Sequence, residues 1–138
     1  HVRRGDYLEP KYWKTTGCVC QLPYYLNAIA EMNKRISQPS YYVFSDDIAW
    51  VKENLPLPKA FFIDWNKGAE SWQDMMLMSR CRHHIICNST FSWWGAWLNP
   101  RKNKTVIMPE RWFRHCETPD ICPDKWIKVP INQPDSIQ

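Results

Sequence analysis

Apolar positions along the chain switch repeatedly between two periods. Over residues 22–36, Leu22, Tyr25, Leu26, Ile29, Met32 and Ile36 recur at helical spacing. Pro23 suits the first turn of that helix, where a missing N–H costs nothing. Pro39-Ser40 breaks the pattern, and Tyr41-Tyr42-Val43-Phe44 predicts a buried strand, being short, aromatic and β-branched. Ser45-Asp46-Asp47 is a helix N-cap signal for a short helix carrying Ile48, Trp50, Val51 and Leu55, ended by Pro56 and Pro58. Ala60-Phe61-Phe62-Ile63 is the next strand, and the spacing of Trp72, Met75, Met76 and Leu77 predicts a helix over 70–81. His84-Ile85-Ile86-Cys87 reads as a strand that stops at the polar Asn88-Ser89-Thr90. A helix through Phe91, Trp94, Ala96, Trp97 and Leu98 follows, closed by Asn99-Pro100. Thr105–Met108 forms a strand before Pro109, and a short strand at Trp126–Val129 falls in a Pro-rich, irregular remainder. The chain has no internal repeat and no low-complexity tract.

Apolar strands alternating with amphipathic helices predict an α/β fold, a Rossmann-like parallel sheet with helices on both faces. In such sheets ligands bind beyond the carboxyl ends of the strands. Three polar clusters occupy such ends: Ser45-Asp46-Asp47, Asp64 and Asn88-Ser89-Thr90. The segment Val2-Arg3-Arg4-Gly5-Asp6-Tyr7 is expected to follow a strand that precedes His1. The chain opens at His1 rather than at a methionine, so a fragment is expected, and its start says nothing of a leader or anchor.

Composition narrows the function classes. The net charge of +4 carries no long basic run, so nucleic acid is not an expected partner. No apolar run approaches the roughly 18 residues of a membrane span. The nine Trp within 138 residues argue for a packed domain. The six cysteines lack zinc spacing, and Cys81 and Cys87 sit in apolar segments, so free thiols in a reducing compartment are expected and no metal site is. Glycine stands only at positions 5, 17, 68 and 95, which excludes a G-x-G-x-x-G fingerprint and a Walker A loop. A G-x-S-x-G nucleophile elbow is also absent. A bound anion must then be held by side chains or by the start of a helix.

Arg3-Arg4 beside His1 offers paired guanidiniums to phosphate oxygens. The plainer alternative is a surface ion pair with Asp6 or Glu9. Arg4-Gly5-Asp6 also spells an adhesion tripeptide, on three residues only. Ser89-Thr90 can cap the helix that follows, and the same helix start can bind phosphate. Asp74, in a mostly apolar helix, can accept paired N–H donors such as those of a guanine edge, or can lie on a solvated face. Trp93, Trp94 and Trp97 read as core at helical spacing. Asn88-Ser89-Thr90 and Asn103-Lys104-Thr105 match glycosylation sequons, the first against a core strand and so not an expected acceptor.

His1-Val2-Arg3-Arg4-Gly5-Asp6-Tyr7 resembles the His-x-Arg-Arg-x-Asp motif of α-1,2-, α-1,6- and some protein O-fucosyltransferases. Phe44-Ser45-Asp46-Asp47 running to Trp50, and Asn88-Ser89-Thr90-Phe91-Ser92-Trp93-Trp94-Gly95-Ala96-Trp97-Leu98, narrow the resemblance to glycosyltransferase family 11. It implies the C-terminal, donor-binding half of a GT-B-type enzyme, spanning residues 1–138, with the acceptor half absent. It implies inverting, metal-independent transfer of L-fucose from GDP-β-L-fucose to the 2-hydroxyl of a galactose-terminated glycan, with no cofactor. The alternatives are a fucosyltransferase of another linkage and a non-catalytic GDP-sugar-binding module. By the same resemblance Arg3 holds the β-phosphate, Arg4 supports the loop or the donor, and His1 lies near guanine or ribose. Asp74 pairs with guanine and Ser89 or Thr90 meets a phosphate. Asp6 is a candidate base with Glu9, or orients the Arg pair. The fragment alone is expected to be inactive. Bacterial relatives are cytoplasmic or membrane-associated, the favoured setting here, and animal ones are Golgi membrane proteins.

Overall fold

The computed structural model describes residues 1–132 of the chain, so residues 133–138 of the expected domain lie outside the described part. A 3-10 turn at Asp6–Leu8, a short helix α1 (Pro10–Tyr12) and a π-type turn at Trp13–Gly17 come first. Then follow α2 (Leu22–Arg35), β1 (Tyr41–Phe44), α3 (Ile48–Asn54), β2 (Ala60–Ile63), α4 (Trp72–Arg80), β3 (His84–Ile85), α5 (Thr90–Trp97), β4 (Val106–Pro109) and β5 (Ile127–Val129). The succession of turns at 6–17 has no counterpart in the hydrophobic pattern, because it buries only Gly17.

All strand pairings are parallel. β1 pairs with β2, and β3-β4-β5 form a second ladder. The first two residues lie between the ladders. Val2 bridges Ser45 in parallel, its N–H donating to the Phe44 carbonyl at 2.9 Å, and the His1 amine donates to the Ile85 carbonyl at 3.0 Å. A largely apolar cavity of about 760 Å³ lies in this gap, lined by residues such as Tyr25, Val43 and Ile85.

Alternation along the strands assigns the layers, since successive side chains point to opposite faces. Val43 and Ile107 pack with Tyr24, Ala28, Ile29 and Val51 of α2 and α3. Their neighbours Phe44, Val106 and Met108 pack the other way, Phe44 with Met78 of α4 and the β4 pair with Ala96 of α5. Helices therefore cover both faces, as predicted, in a mixed α/β arrangement compatible with a Rossmann-like fold.

Three expectations need correction. Strand β3 is short: ladder pairing covers only His84–Ile85, although the Ile86 N–H still reaches the Ile107 carbonyl at 2.9 Å. The helix expected over 70–81 begins at Trp72, because residues 68–70 wind as a 3-10 turn with Gly68 at φ +56°. The tryptophan cluster is not all core. Trp93 stacks on Trp97 at 5.0 Å and contacts Trp126, but Trp94 and Trp97 are 47% and 50% exposed.

Candidate active site

The polar loops at the carboxyl ends of β1 and β2 surround a second cavity of about 570 Å³. Its apolar floor is Phe44, Ile63 and Phe91, and its polar wall includes Arg3, Asp46, Asn66 and Asp74, with His1 beside them. This cavity, not the larger apolar one, stands where an open parallel sheet binds ligands and carries the charged groups that could do chemistry.

The arginine loop is anchored by the residues after β1. Asp46 Oδ1 accepts the Arg4 backbone N–H at 2.8 Å, and Asp46 Oδ2 lies 3.4 Å from Arg3 Nε. Gly5 leaves room for this carboxylate, since a Cβ there would press on Asp46 Oδ2 and displace it. Asp47 accepts the Trp50 N–H at 3.1 Å as the N-cap of α3, as expected, while its other oxygen accepts from Arg4 Nε at 3.2 Å. The Ser45 hydroxyl accepts the Asp47 N–H at 2.9 Å.

The two guanidiniums therefore differ. Arg4 stacks over Trp50 at 4.0 Å from the ring centre, and its side chain is only 14% exposed. It does not line the cavity, and it is not presented as an adhesion tripeptide would need. Arg3 does line the cavity, held by Asp6 at 2.9 Å and by Asp46. Asp6 touches Arg3 rather than the cavity wall. His1 packs its ring 5.6 Å from Phe91, with Nδ1 3.5 Å from Cys87 Sγ.

Ser89 is buried as the N-cap of α5 but makes no side-chain cap bond, and Thr90 is exposed. Neither lines the cavity, and Phe91 of the same first turn does. Asn88 is 2% exposed and ties three segments together. Its side-chain amide donates to the carbonyls of Thr16 and Trp112, both at 3.0 Å, and its backbone carbonyl accepts from Tyr7 Oη at 2.9 Å. Burial pushes the Tyr7 hydroxyl up to about 12, so it stays a donor at any working pH. Asp74, in the first turn of α4, accepts from Asn66 Nδ2 at 2.7 Å and lines the cavity. The structure thus brings His1, Arg3 and Asp74 to one cavity. It adds Asp46, already marked by its strand-end block, and Asn66 and Lys67, which carried no motif weight in the sequence. The strand-end position of Asp46 was the signal available for it.

Fold and site together define a class: a parallel α/β domain with a charged ligand cavity at the carboxyl ends of its strands. The family model described as glycosyl transferase family 11 matches residues 1–129, and the chain belongs to that family. An α-1,2-colitosyltransferase of Escherichia coli is 37% identical over 133 residues, covering 94% of this chain and 46% of that protein. The O-antigen biosynthesis glycosyltransferase WbnK of Escherichia coli is 36% identical over 130 residues, covering 94% of this chain and 43% of the relative. Galactoside α-(1,2)-fucosyltransferase 1 of Saimiri sciureus is 35% identical over 102 residues, with 71% of this chain and 27% of the relative covered. The chain spans less than half the length of these relatives. No solved structure matches it.

Proposed function

We propose that the chain is the donor-binding, C-terminal half of a GT-B-type, inverting α-1,2-fucosyltransferase that moves L-fucose from GDP-fucose to the 2-hydroxyl of a galactoside. The observation that carries the reading is the convergence of His1, Arg3 and Asp74 on one strand-end cavity. Arg3 takes the β-phosphate through its remaining N–H groups, while Asp6 and Asp46 hold the guanidinium in place. Asp74 takes the guanine edge and His1 the nucleoside. Of the first turn of α5 only Phe91 reaches the cavity, so the phosphate role expected of Ser89 and Thr90 is not assigned.

As the glycosidic bond breaks, negative charge grows on the diphosphate. A fixed guanidinium stabilises that charge more in the transition state than in the ground state, and it serves where a divalent cation serves in other transferases. Arg4 works indirectly: stacked on Trp50 and paired with Asp47, it holds the loop that aims Arg3. The acceptor hydroxyl attacks from the face opposite the diphosphate, with its proton taken by a carboxylate base, for which Asp6 is the candidate.

One relative is named for colitose and another for fucose, so the donor sugar is what experiment must decide first. The full-length protein, given GDP-fucose and a galactose-terminated acceptor, should yield an α-1,2-linked fucoside by linkage analysis. A different linkage places it with another fucosyltransferase type. GDP binding without turnover identifies a sensor instead. Among the described residues no helix is long and apolar enough to cross a membrane, and the relatives include bacterial and animal proteins. A cytoplasmic or peripheral membrane setting is proposed.

A further inference from the structure

Among the described residues, the Asp74 carboxylate has no ion-pair partner within 4 Å and accepts one hydrogen bond, from Asn66 Nδ2 at 2.7 Å. The two residues come from different elements: Asn66 from the loop after β2, and Asp74 from the first turn of α4. Both line the charged cavity. The terminal torsion of an aspartate is soft and two-fold, so an unheld carboxylate swings through a wide arc. A neutral amide on one oxygen fixes the plane of the group without neutralising it. The second oxygen and the remaining lone pair of the first stay open to a ligand. The loop that presents Asn66 is itself held, since the Glu70 N–H reaches the Lys67 carbonyl at 3.0 Å and the Ser71 N–H reaches the Gly68 carbonyl at 3.1 Å.

We infer that Asn66 is the positioning residue of the nucleobase site, setting the plane of the Asp74 carboxylate so that it accepts two adjacent N–H donors of a purine edge. This rests on the proposed pairing of Asp74 with guanine. A purine with both donors, guanine, is selected over hypoxanthine, which lacks the exocyclic amino group. The carboxylate plane thus becomes a specificity determinant that acts on donor binding and leaves the sugar-transfer step alone.

The test compares GDP and IDP binding by calorimetry, and GDP-fucose kinetics, in the full-length protein and its variants. Asn66→Ala should weaken GDP about tenfold, the size of one charge-assisted hydrogen bond, and narrow the GDP-over-IDP preference to match. KM for GDP-fucose should rise in parallel, with kcat held within about twofold, as expected for loss of uniform binding. Asp74→Ala should abolish the preference, and Asn66→Ala added to it should cost nothing more. Asn66→Asp keeps the shape, replaces the donor with a like charge, and should show the same loss; it decides the matter if Asn66→Ala does not fold. A preference lost in Asp74→Ala but retained in both Asn66 variants would overturn the positioning role. A preference retained in Asp74→Ala would overturn the guanine pairing and the inference with it.

Discussion

Arg3 and Arg4 are adjacent in sequence and divided in task by their surroundings. Arg4 is enclosed by Trp50 and Asp47, whereas Arg3 faces the cavity beside Asp46. In the full-length enzyme Arg3→Ala should lower turnover from GDP-fucose by about a hundredfold or more, the cost of losing a preorganised donor to a developing oxyanion. Near-normal turnover would count against the mechanism. A second residue-scale prediction concerns His84, which accepts the Asn99 amide at 2.8 Å through Nε2 and is therefore neutral in the fold. Burial, with Lys104, His83 and Arg101 nearby, pushes it down to about 4. The unfolded state binds this proton near 6.5 and the folded state only near 4. Stability is therefore complete above about pH 6.5 and falls as the pH drops toward 4, by on the order of 3 kcal/mol. Urea denaturation between pH 8 and pH 4.5 should show this slope, and His84→Gln should flatten it. That Arg3 belongs to the ligand cavity was legible from the sequence once the motif was seen. The division between Arg3 and Arg4 was not, because it depends on Trp50, which lies on a different element.

At the scale of the element, the start of α3 serves two ends at once. The short run Ser45-Asp46-Asp47 caps the helix through Asp47 and anchors the arginine loop through both carboxylates. Capping was readable from residue type and position, since a carboxylate before an apolar run satisfies free helix N–H groups. Anchoring was not, because the arginine loop is some forty residues away in the chain. Asp47→Ala should cost about 1 kcal/mol of stability from the cap alone. Asp47→Asn keeps an oxygen for the Trp50 N–H and loses the Arg4 ion pair, so it should retain most of that stability and still lower kcat/KM. Equal stability loss in both variants would show that the charge, not the cap, carries the effect. Elsewhere the helices and strands fell within a few residues of their expected bounds. The misses were the turns and short helix at 6–17, which bury too little to leave a pattern, and some element ends, where the 3-10 turn at 68–70 and the shortened β3 answer to local hydrogen bonding rather than to hydrophobic period.

For the whole molecule, the sheet places its charged loops at the carboxyl ends of its strands. Two halves of the parallel sheet meet at His1–Val2, and the cavity opens beside that meeting point. Positive charge there comes from Arg3 and Lys67 and is set against Asp46, Asp64 and Asp74. The side-chain cation proposed for the diphosphate predicts that EDTA leaves turnover of the full-length protein intact. A strict Mn²⁺ requirement would place the charge stabilisation elsewhere. The half-exposed Trp94 and Trp97 mark the limit of periodicity as a guide. The three Trp of α5 lie close enough in helical spacing that only packing decided that Trp93 turns toward Trp126 while Trp94 and Trp97 stay half exposed.

Periodicity, caps and breakers in the chain were enough to determine the alternating elements, because these depend on contacts a few residues apart. The parallel sheet and its ligand-binding strand ends followed only through the general rule for alternating strands and helices, since its pairings join residues about twenty positions apart. The order of three motif blocks was enough to point to the family. Tertiary structure alone decided that Arg3 faces the cavity while Arg4 is enclosed. It also placed Asp46 beneath Gly5, joined Asn66 to Asp74, and left Ser89 and Thr90 off the cavity wall. Each of these outcomes rests on a side chain meeting another element, and no local pattern records which of two neighbouring residues will find its partner there.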